Sequence, residues 1–131
     1  MTPELDELVS VARQALRHAY APYSRFRVGA ALRTKSGRIF QGCNVENASY
    51  GATLCAERAA VVQMVSAGEH ELESIAICVE AAAIPMPCGM CRQVLAEFAD
   101  DALIVVANPA HQETHTLRDL LPHRFRLLPS E

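Results

Sequence analysis

Two short motifs constrain this chain more than anything else in it: Cys55-Ala56-Glu57 and Pro87-Cys88-Gly89-Met90-Cys91. If the three cysteines serve one metal ion, two segments far apart in the chain must meet at a point. Three thiolates leave a fourth coordination position for water, whereas structural zinc is usually closed by four protein ligands. Glu57 then stands beside that position as a carboxylate with no metal to bind. Zinc activates water and a nearby carboxylate moves protons, so the pair of motifs predicts hydrolytic chemistry as well as a metal.

The spacing also says where the motifs must lie. Both precede apolar patterns of helical period. Cys88 and Cys91, three apart, share one face of a first helical turn. Cys55 and Glu57 stand roughly 200° apart around an ideal helix. They converge only if Cys55 is at the frayed start and Glu57 in the first full turn, so the site is predicted at a helix tip. The free N–H groups and partial positive charge of such a tip favour thiolate over thiol. Three thiolates on one zinc still leave an excess negative charge. Arg58 and Arg92 follow the ligands directly and are placed to donate hydrogen bonds to sulfur, drawing charge off the metal.

The rest of the chain reads as alternating helices and strands. Leu5, Leu8, Val9, Ala12, Ala15, Leu16 and Ala19 predict an amphipathic helix over 3–19, with Thr2 capping it and Pro3 at its first position. Strands over 26–33 and 38–43 flank the turn Lys35-Ser36-Gly37 and predict a hairpin. Residues 42–53 are small and polar, the composition of a functional loop. A helix over 54–67 turns Ala56, Ala59, Ala60, Met64 and Val65 inward and ends at Gly68. The apolar runs 74–79 and 103–107 predict central strands buried on both faces. A helix over 89–98, with Val94, Leu95 and Phe98 inward, joins them as a right-handed parallel crossover. A weak strand and a short helix after Thr116 fill 112–121. The sum is an α/β fold, three-layer α/β/α with a mixed five-stranded sheet, as one domain over 1–131.

Of the 131 residues half are hydrophobic, enough for one core without a disulfide framework. The five cysteines are an odd number, and residues 1–20 carry charges throughout rather than a signal peptide or membrane span. That combination predicts reduced thiols in a cytoplasmic protein with no membrane partner. The net charge is −3 with no basic run, which opposes a nucleic-acid polymer as partner. Cys78, in an apolar run, reads as core. Cys43 reads as packing; were it a ligand, the metal site would be closed and structural. His18, His70, His111, His115 and His123 read as surface residues.

Three segments carry a resemblance to a known family: 20–32 (Tyr20 to Leu32), 42–58 (Gly42 to Arg58) and 87–98 (Pro87 to Phe98). The chain resembles the small homotetrameric zinc-dependent cytidine deaminases of pyrimidine salvage, a site type known in a three-cysteine variant. The resemblance implies one Zn2+ per subunit held by Cys55, Cys88 and Cys91. It implies Glu57 as the proton carrier in attack of water on C4 of cytosine. It further implies that the Ala56 backbone meets the base carbonyl, that Phe26 and Asn44 line the nucleoside pocket, and that Asn44 and Glu46 hold the ribose 3′-hydroxyl. Ala48 and Tyr50 match positions that reach a neighbouring subunit's 5′-hydroxyl, and Phe125 one that stacks on the base from another subunit. The implied reaction converts cytidine and 2′-deoxycytidine to uridine and 2′-deoxyuridine plus ammonia. One departure stands out: the stretch from Val79 to Pro87 is short and apolar, with Met86 where the family commonly has Ser or Thr.

Three alternatives compete. A deaminase of a modified cytosine nucleoside would use the same scaffold. A polynucleotide-editing deaminase would need a basic groove, which the charge balance opposes. A non-enzymatic zinc module would need a fourth protein ligand.

Overall fold

The first helix forms because its start is capped three ways. Thr2 Oγ1 accepts the Leu5 N–H at 3.2 Å, Pro3 occupies the first helical position, and Glu4 and Asp6 lie in the first turn. In the computed structural model, which describes residues 2–127, this helix is α1, Pro3–Ala15. It stops short of the expected residue 19: Leu16–His18 tighten into a 3-10 turn and Ala19 leaves the helix at ψ 136°. The cause is tertiary. Tyr20 donates its N–H to the Asn44 carbonyl at 3.0 Å and accepts from Glu46 N at 2.8 Å, so the chain must be extended by then.

The other elements follow in order. They are β1 (Val28–Thr34), β2 (Ile39–Cys43), α2 (Ala56–Ser66), β3 (Leu72–Val79), α3 (Gly89–Glu97), β4 (Leu103–Ala107), β5 (Gln112–Thr116) and α4 (Leu117–Leu120). The strands form one sheet in the order β2-β1-β3-β4-β5. β1 and β2 make the expected hairpin, β3 and β4 pair parallel, and the remaining pairs are antiparallel. The sheet is therefore mixed and five-stranded. β3 starts at Leu72 rather than Ser74 because Leu72 is buried opposite Thr34, across a register shift between Arg33 and Thr34. The exposed Glu73 hides that start from a reading based on continuous apolar runs.

Two cores clasp the sheet. On one face Leu8, Val9, Ala12 and Leu16 of the first helical segment pack against Ala31, Ala76, Cys78, Val105 and Ala107. On the other, Ala60, Val61, Met64, Leu95 and Leu117 pack against Ala30, Leu32, Ile75, Ile77, Ile104 and Val106. Alternate residues of each central strand thus serve opposite layers, as the two-residue period of a strand requires. Cys78 is core, as its run predicts. Val65, expected inward on α2, is 38% exposed, and Val61 takes its place in the core.

Close backbone approach fixes α2 on the sheet. A Cβ on Gly42 of β2 would lie 2.5 Å from Ala60 N and 2.8 Å from the Ala56 carbonyl, so only glycine lets helix and strand meet there. At the far end of α2, Gly68 sits one residue beyond the cap at φ +89°. Its N–H reaches the Val65 carbonyl at 2.9 Å and Glu69 N reaches Met64 O at 3.1 Å, closing the helix with a Schellman motif. Among the described residues no helix is long and apolar enough to cross a membrane.

Candidate metal centre and substrate cavity

The two motifs meet at the N-termini of α2 and α3. Cys55 is the residue before α2, extended at φ −73°, ψ 152°, and Cys88 occupies the same place before α3 at φ −68°, ψ 169°. Glu57 lies in the first turn of α2 and is only 6% exposed; Cys91 lies in the first turn of α3 and is fully buried. The helix expected over 54–67 begins at Ala56, so Cys55, expected at its frayed start, lies just before it and Glu57 in its first turn.

The Sγ atoms of Cys55, Cys88 and Cys91 all lie within 4.8 Å of one another. Tetrahedral zinc with bonds of about 2.3 Å sets its sulfurs about 3.8 Å apart, so the cluster fits that ion with small side-chain adjustments. Among the described residues the cluster includes neither Cys43 nor any of the five histidines. Three sulfurs and no fourth protein ligand is the donor set of an open zinc site.

The electrostatics suit a cation. A hydrogen bond from Cys91 and the Arg58 guanidinium bring the Cys55 thiol down to about 5 against the opposing effect of burial. Cys91, donating to Cys55 and buried, is held up as a thiol. Metal binding releases such protons, which ties affinity to pH. Burial pushes the Glu57 carboxyl up, and the Cys55 charge adds to it; hydrogen bonding to its own backbone and to Cys91 opposes the rise only in part. A carboxyl poised in this way can both take and give a proton.

The two arginines part company. Arg58 Nη2 donates to Cys55 Sγ at 3.4 Å and to the Thr53 carbonyl at 3.3 Å, while its buried Nε has no partner among the described residues. Arg92 instead turns to backbone: Nε donates to the Pro87 carbonyl at 2.8 Å and Nη1 to Leu120 O at 2.9 Å. It braces the turn before Cys88 against α4. The expectation that it donates to sulfur is corrected accordingly, because two backbone carbonyls lie in its reach and accept its N–H groups instead.

A cavity of about 480 Å³ opens on this centre. Its lining joins Cys55, Ala56, Glu57 and Cys88 of the centre to Phe26, Asn44 and Glu46 and to Ile84, Pro85 and Met86. Asn44 is 8% exposed; its Oδ1 accepts from Val28 N at 2.9 Å and its Nδ2 donates to the Phe26 carbonyl at 2.8 Å. That clamp is why β1 starts at Val28 and not at residue 26. Glu46 accepts the N–H groups of Tyr23 at 3.0 Å and Ser24 at 3.1 Å, and the Ser24 hydroxyl as well. The Ser24 hydroxyl foremost, with those backbone donors, holds the Glu46 carboxyl below the usual carboxylate range.

The remaining expected residues lie outside this cavity. Ala48 is exposed on the loop. Tyr50, 78% exposed, meets Tyr23 edge-on at 6.3 Å and borders an adjoining cavity of about 350 Å³ that also touches Ser24, Glu46 and Thr53. Phe125 is 69% exposed and lies by Ala96 and Glu97, its carbonyl held by Gln93 Nε2 at 3.0 Å. Sequence reasoning missed Ser24, Val28, Thr53 and Ile77 as lining residues. It also missed Asn108, which donates to the Ala82 carbonyl at 2.6 Å and ties down the segment that leads to Ile84, Pro85 and Met86. Ser24 had a faint signal, a small polar residue in the loop leading into a strand.

The family model for the cytidine and deoxycytidylate deaminase zinc-binding region matches residues 3–107. The chain belongs to this family. The cytidine deaminase of Mycobacterium tuberculosis (strain H37Rv) is 49% identical over 123 residues, 92% of this chain and 90% of that protein. The cytidine deaminase of Halalkalibacterium halodurans is 43% identical over 120 residues, 90% of this chain and 91% of its own. The crystal structure of cytidine deaminase from Burkholderia pseudomallei superposes with a TM-score of 0.88 at 43% identity, covering 95% of this chain and 100% of that one. The chain is thus a zinc-binding deaminase with the three-layer fold of its family, and the three-sulfur cluster is where the zinc belongs.

Proposed function

We propose that this enzyme converts cytidine and 2′-deoxycytidine to uridine and 2′-deoxyuridine, releasing ammonia, and serves pyrimidine salvage in the cytoplasm. One observation carries the reading. A single cavity is lined both by Cys55 and Cys88 of the sulfur cluster with buried Glu57 and by a fixed polar pair, Asn44 and Glu46. The names of the relatives support the same substrate.

Zinc held by Cys55, Cys88 and Cys91 would supply a Lewis acid that makes water nucleophilic near neutral pH. Glu57 takes a proton from the water that attacks C4 and delivers it to ring N3. It then passes the second proton to the departing ammonia, so that cytidine and water become uridine and ammonia. Burial supports this role, because a carboxyl raised above its usual range is a better proton carrier near neutrality. Arg58 draws charge from the Cys55 sulfur.

Counting hydrogen bonds supports the sugar contacts. Asn44 has given one N–H to Phe26 and accepted one from Val28, which leaves a second N–H to donate. Glu46 has one acceptor direction left of about four. One donor and one acceptor on the lining of one cavity suit a single hydroxyl, the ribose 3′-hydroxyl in this reading, and penalise analogues lacking it. The Ala56 backbone meets the base carbonyl and Phe26 flanks the nucleoside. The wall residues include two carboxylates and no Lys or Arg, which disfavours a 5′-phosphate.

The same reading makes the enzyme a homotetramer. Tyr50, Ala48 and Phe125 serve neighbouring subunits' sites, and the exposure of the two aromatic rings supports that assignment. A modified cytosine nucleoside is the second reading, favoured by Met86 in the cavity lining. Uridine and ammonia release from cytidine, set beside a panel of ring- and N4-substituted nucleosides, decides between them.

A further inference from the structure

Glu46 is held with unusual completeness for a loop residue. Three of its acceptor directions are filled by two neighbouring residues, Tyr23 and Ser24. The Ser24 oxygen in turn accepts the Phe26 N–H at 3.0 Å. A hydroxyl has one proton. With an N–H arriving at its lone pairs, the Ser24 proton is committed to Glu46. The Phe26 carbonyl is taken by Asn44 Nδ2, so Phe26 is pinned at both ends, by Ser24 through its nitrogen and by Asn44 through its oxygen.

The backbone is bent to make this possible. Arg25, between Ser24 and Phe26, sits at φ +60°, a left-handed conformation uncommon for a residue with a side chain. Its N–H to the Ala21 carbonyl at 2.9 Å holds the bend, which brings the Ser24 hydroxyl onto the Phe26 nitrogen. Ser24, Phe26, Asn44 and Glu46 therefore form one hydrogen-bonded circuit, and all four line the main cavity.

We infer that Ser24 is a positioning residue for sugar recognition: its hydroxyl aims the one remaining acceptor direction of Glu46 at the substrate and locks that acceptor to the Phe26 wall. The inference rests on the reading that Asn44 and Glu46 take the ribose 3′-hydroxyl. A carboxylate fixed before binding loses less freedom when the substrate arrives, so the effect belongs in KM rather than in the chemical step.

The test is steady-state kinetics of zinc-loaded enzyme with cytidine and 3′-deoxycytidine, for wild type, Ser24→Ala, Ser24→Thr, Glu46→Gln and the Ser24→Ala/Glu46→Gln double variant. Ser24→Ala should raise KM for cytidine roughly tenfold or more, the cost of loosening a bond to a charged group. Its kcat should stay within about threefold, and KM for 3′-deoxycytidine should rise far less than that for cytidine, by the loss of the Phe26 pin alone. Ser24→Thr, which keeps the hydroxyl, should restore most of the loss. Ser24→Ala should add nothing in the Glu46→Gln background. Equal KM increases for both substrates, or a full extra cost in the double variant, would reduce Ser24 to a structural residue and overturn the inference. If Glu46→Gln keeps the wild-type preference for cytidine over its 3′-deoxy analogue, the sugar reading itself falls. If Glu46→Gln abolishes that preference while Ser24→Ala leaves it intact, Ser24 alone is misassigned.

Discussion

Glu57 shows how one residue's surroundings decide its role. It sits at a helix N-terminus, which ordinarily favours the charged form, yet burial overrides that and pushes its carboxyl up. On the proposed role of Glu57 as proton carrier, Glu57→Gln, which keeps the shape, should lower kcat by about 10²–10⁴-fold, the usual worth of such a group, while zinc content stays at one per chain. Cys88→Ala should bring zinc content close to zero by metal analysis; retention of full zinc would remove Cys88 from the ligand set. At this scale much of the site was legible, because metal ligands and helix starts are local patterns. The Cys55-Ala56-Glu57 spacing called for Cys55 at the frayed start of the helix and Glu57 in its first turn; the helix begins at Ala56, with Cys55 just before it. The Asn44 clamp and the Arg92 brace were not legible. Each depends on a carbonyl that only the tertiary fold brings near: Phe26, eighteen positions from Asn44, and Leu120, twenty-eight from Arg92.

At the scale of elements, the position of α2 decides whether the centre assembles, since Cys55 directly precedes it and Glu57 lies in its first turn. Gly42 sets how closely β2 approaches that helix. Gly42→Ala should push the helix away, costing about 1–3 kcal/mol in denaturant unfolding and slowing turnover as well. An unchanged midpoint would mean that the contact is not tight. The loop 23–26 carries a different signature. Hydrogen bonding to Ser24 depresses the folded-state value of Glu46, so its contribution is present above the ordinary carboxylate range and lost as pH falls through the lowered value. Stability of wild type should therefore fall more steeply on acidification than that of Glu46→Gln, as followed by thermal melting across that range. The order and type of the elements could be read from apolar period. Their ends could not, because Tyr20, Phe26 and Leu72 are placed by partners remote in sequence.

The whole molecule leaves apolar surface unexplained by its own fold. Tyr50, Phe125, Met90 and Val62 are each more than half exposed. Isolated exposed side chains are ordinary, but these include the residues whose family matches reach other subunits. Sedimentation should find a particle of four 14.3 kDa chains, and Phe125→Ala should weaken cytidine turnover without removing zinc. A fully active monomer would overturn the cross-subunit assignments. The most direct test of the account is release of uridine and ammonia from cytidine by purified, zinc-analysed protein, with Glu57→Gln beside it. The account predicts equimolar products from the wild type and near-complete loss in the zinc-replete variant. Zinc-replete wild type that leaves cytidine untouched, or a Glu57→Gln enzyme that turns over normally, would contradict it.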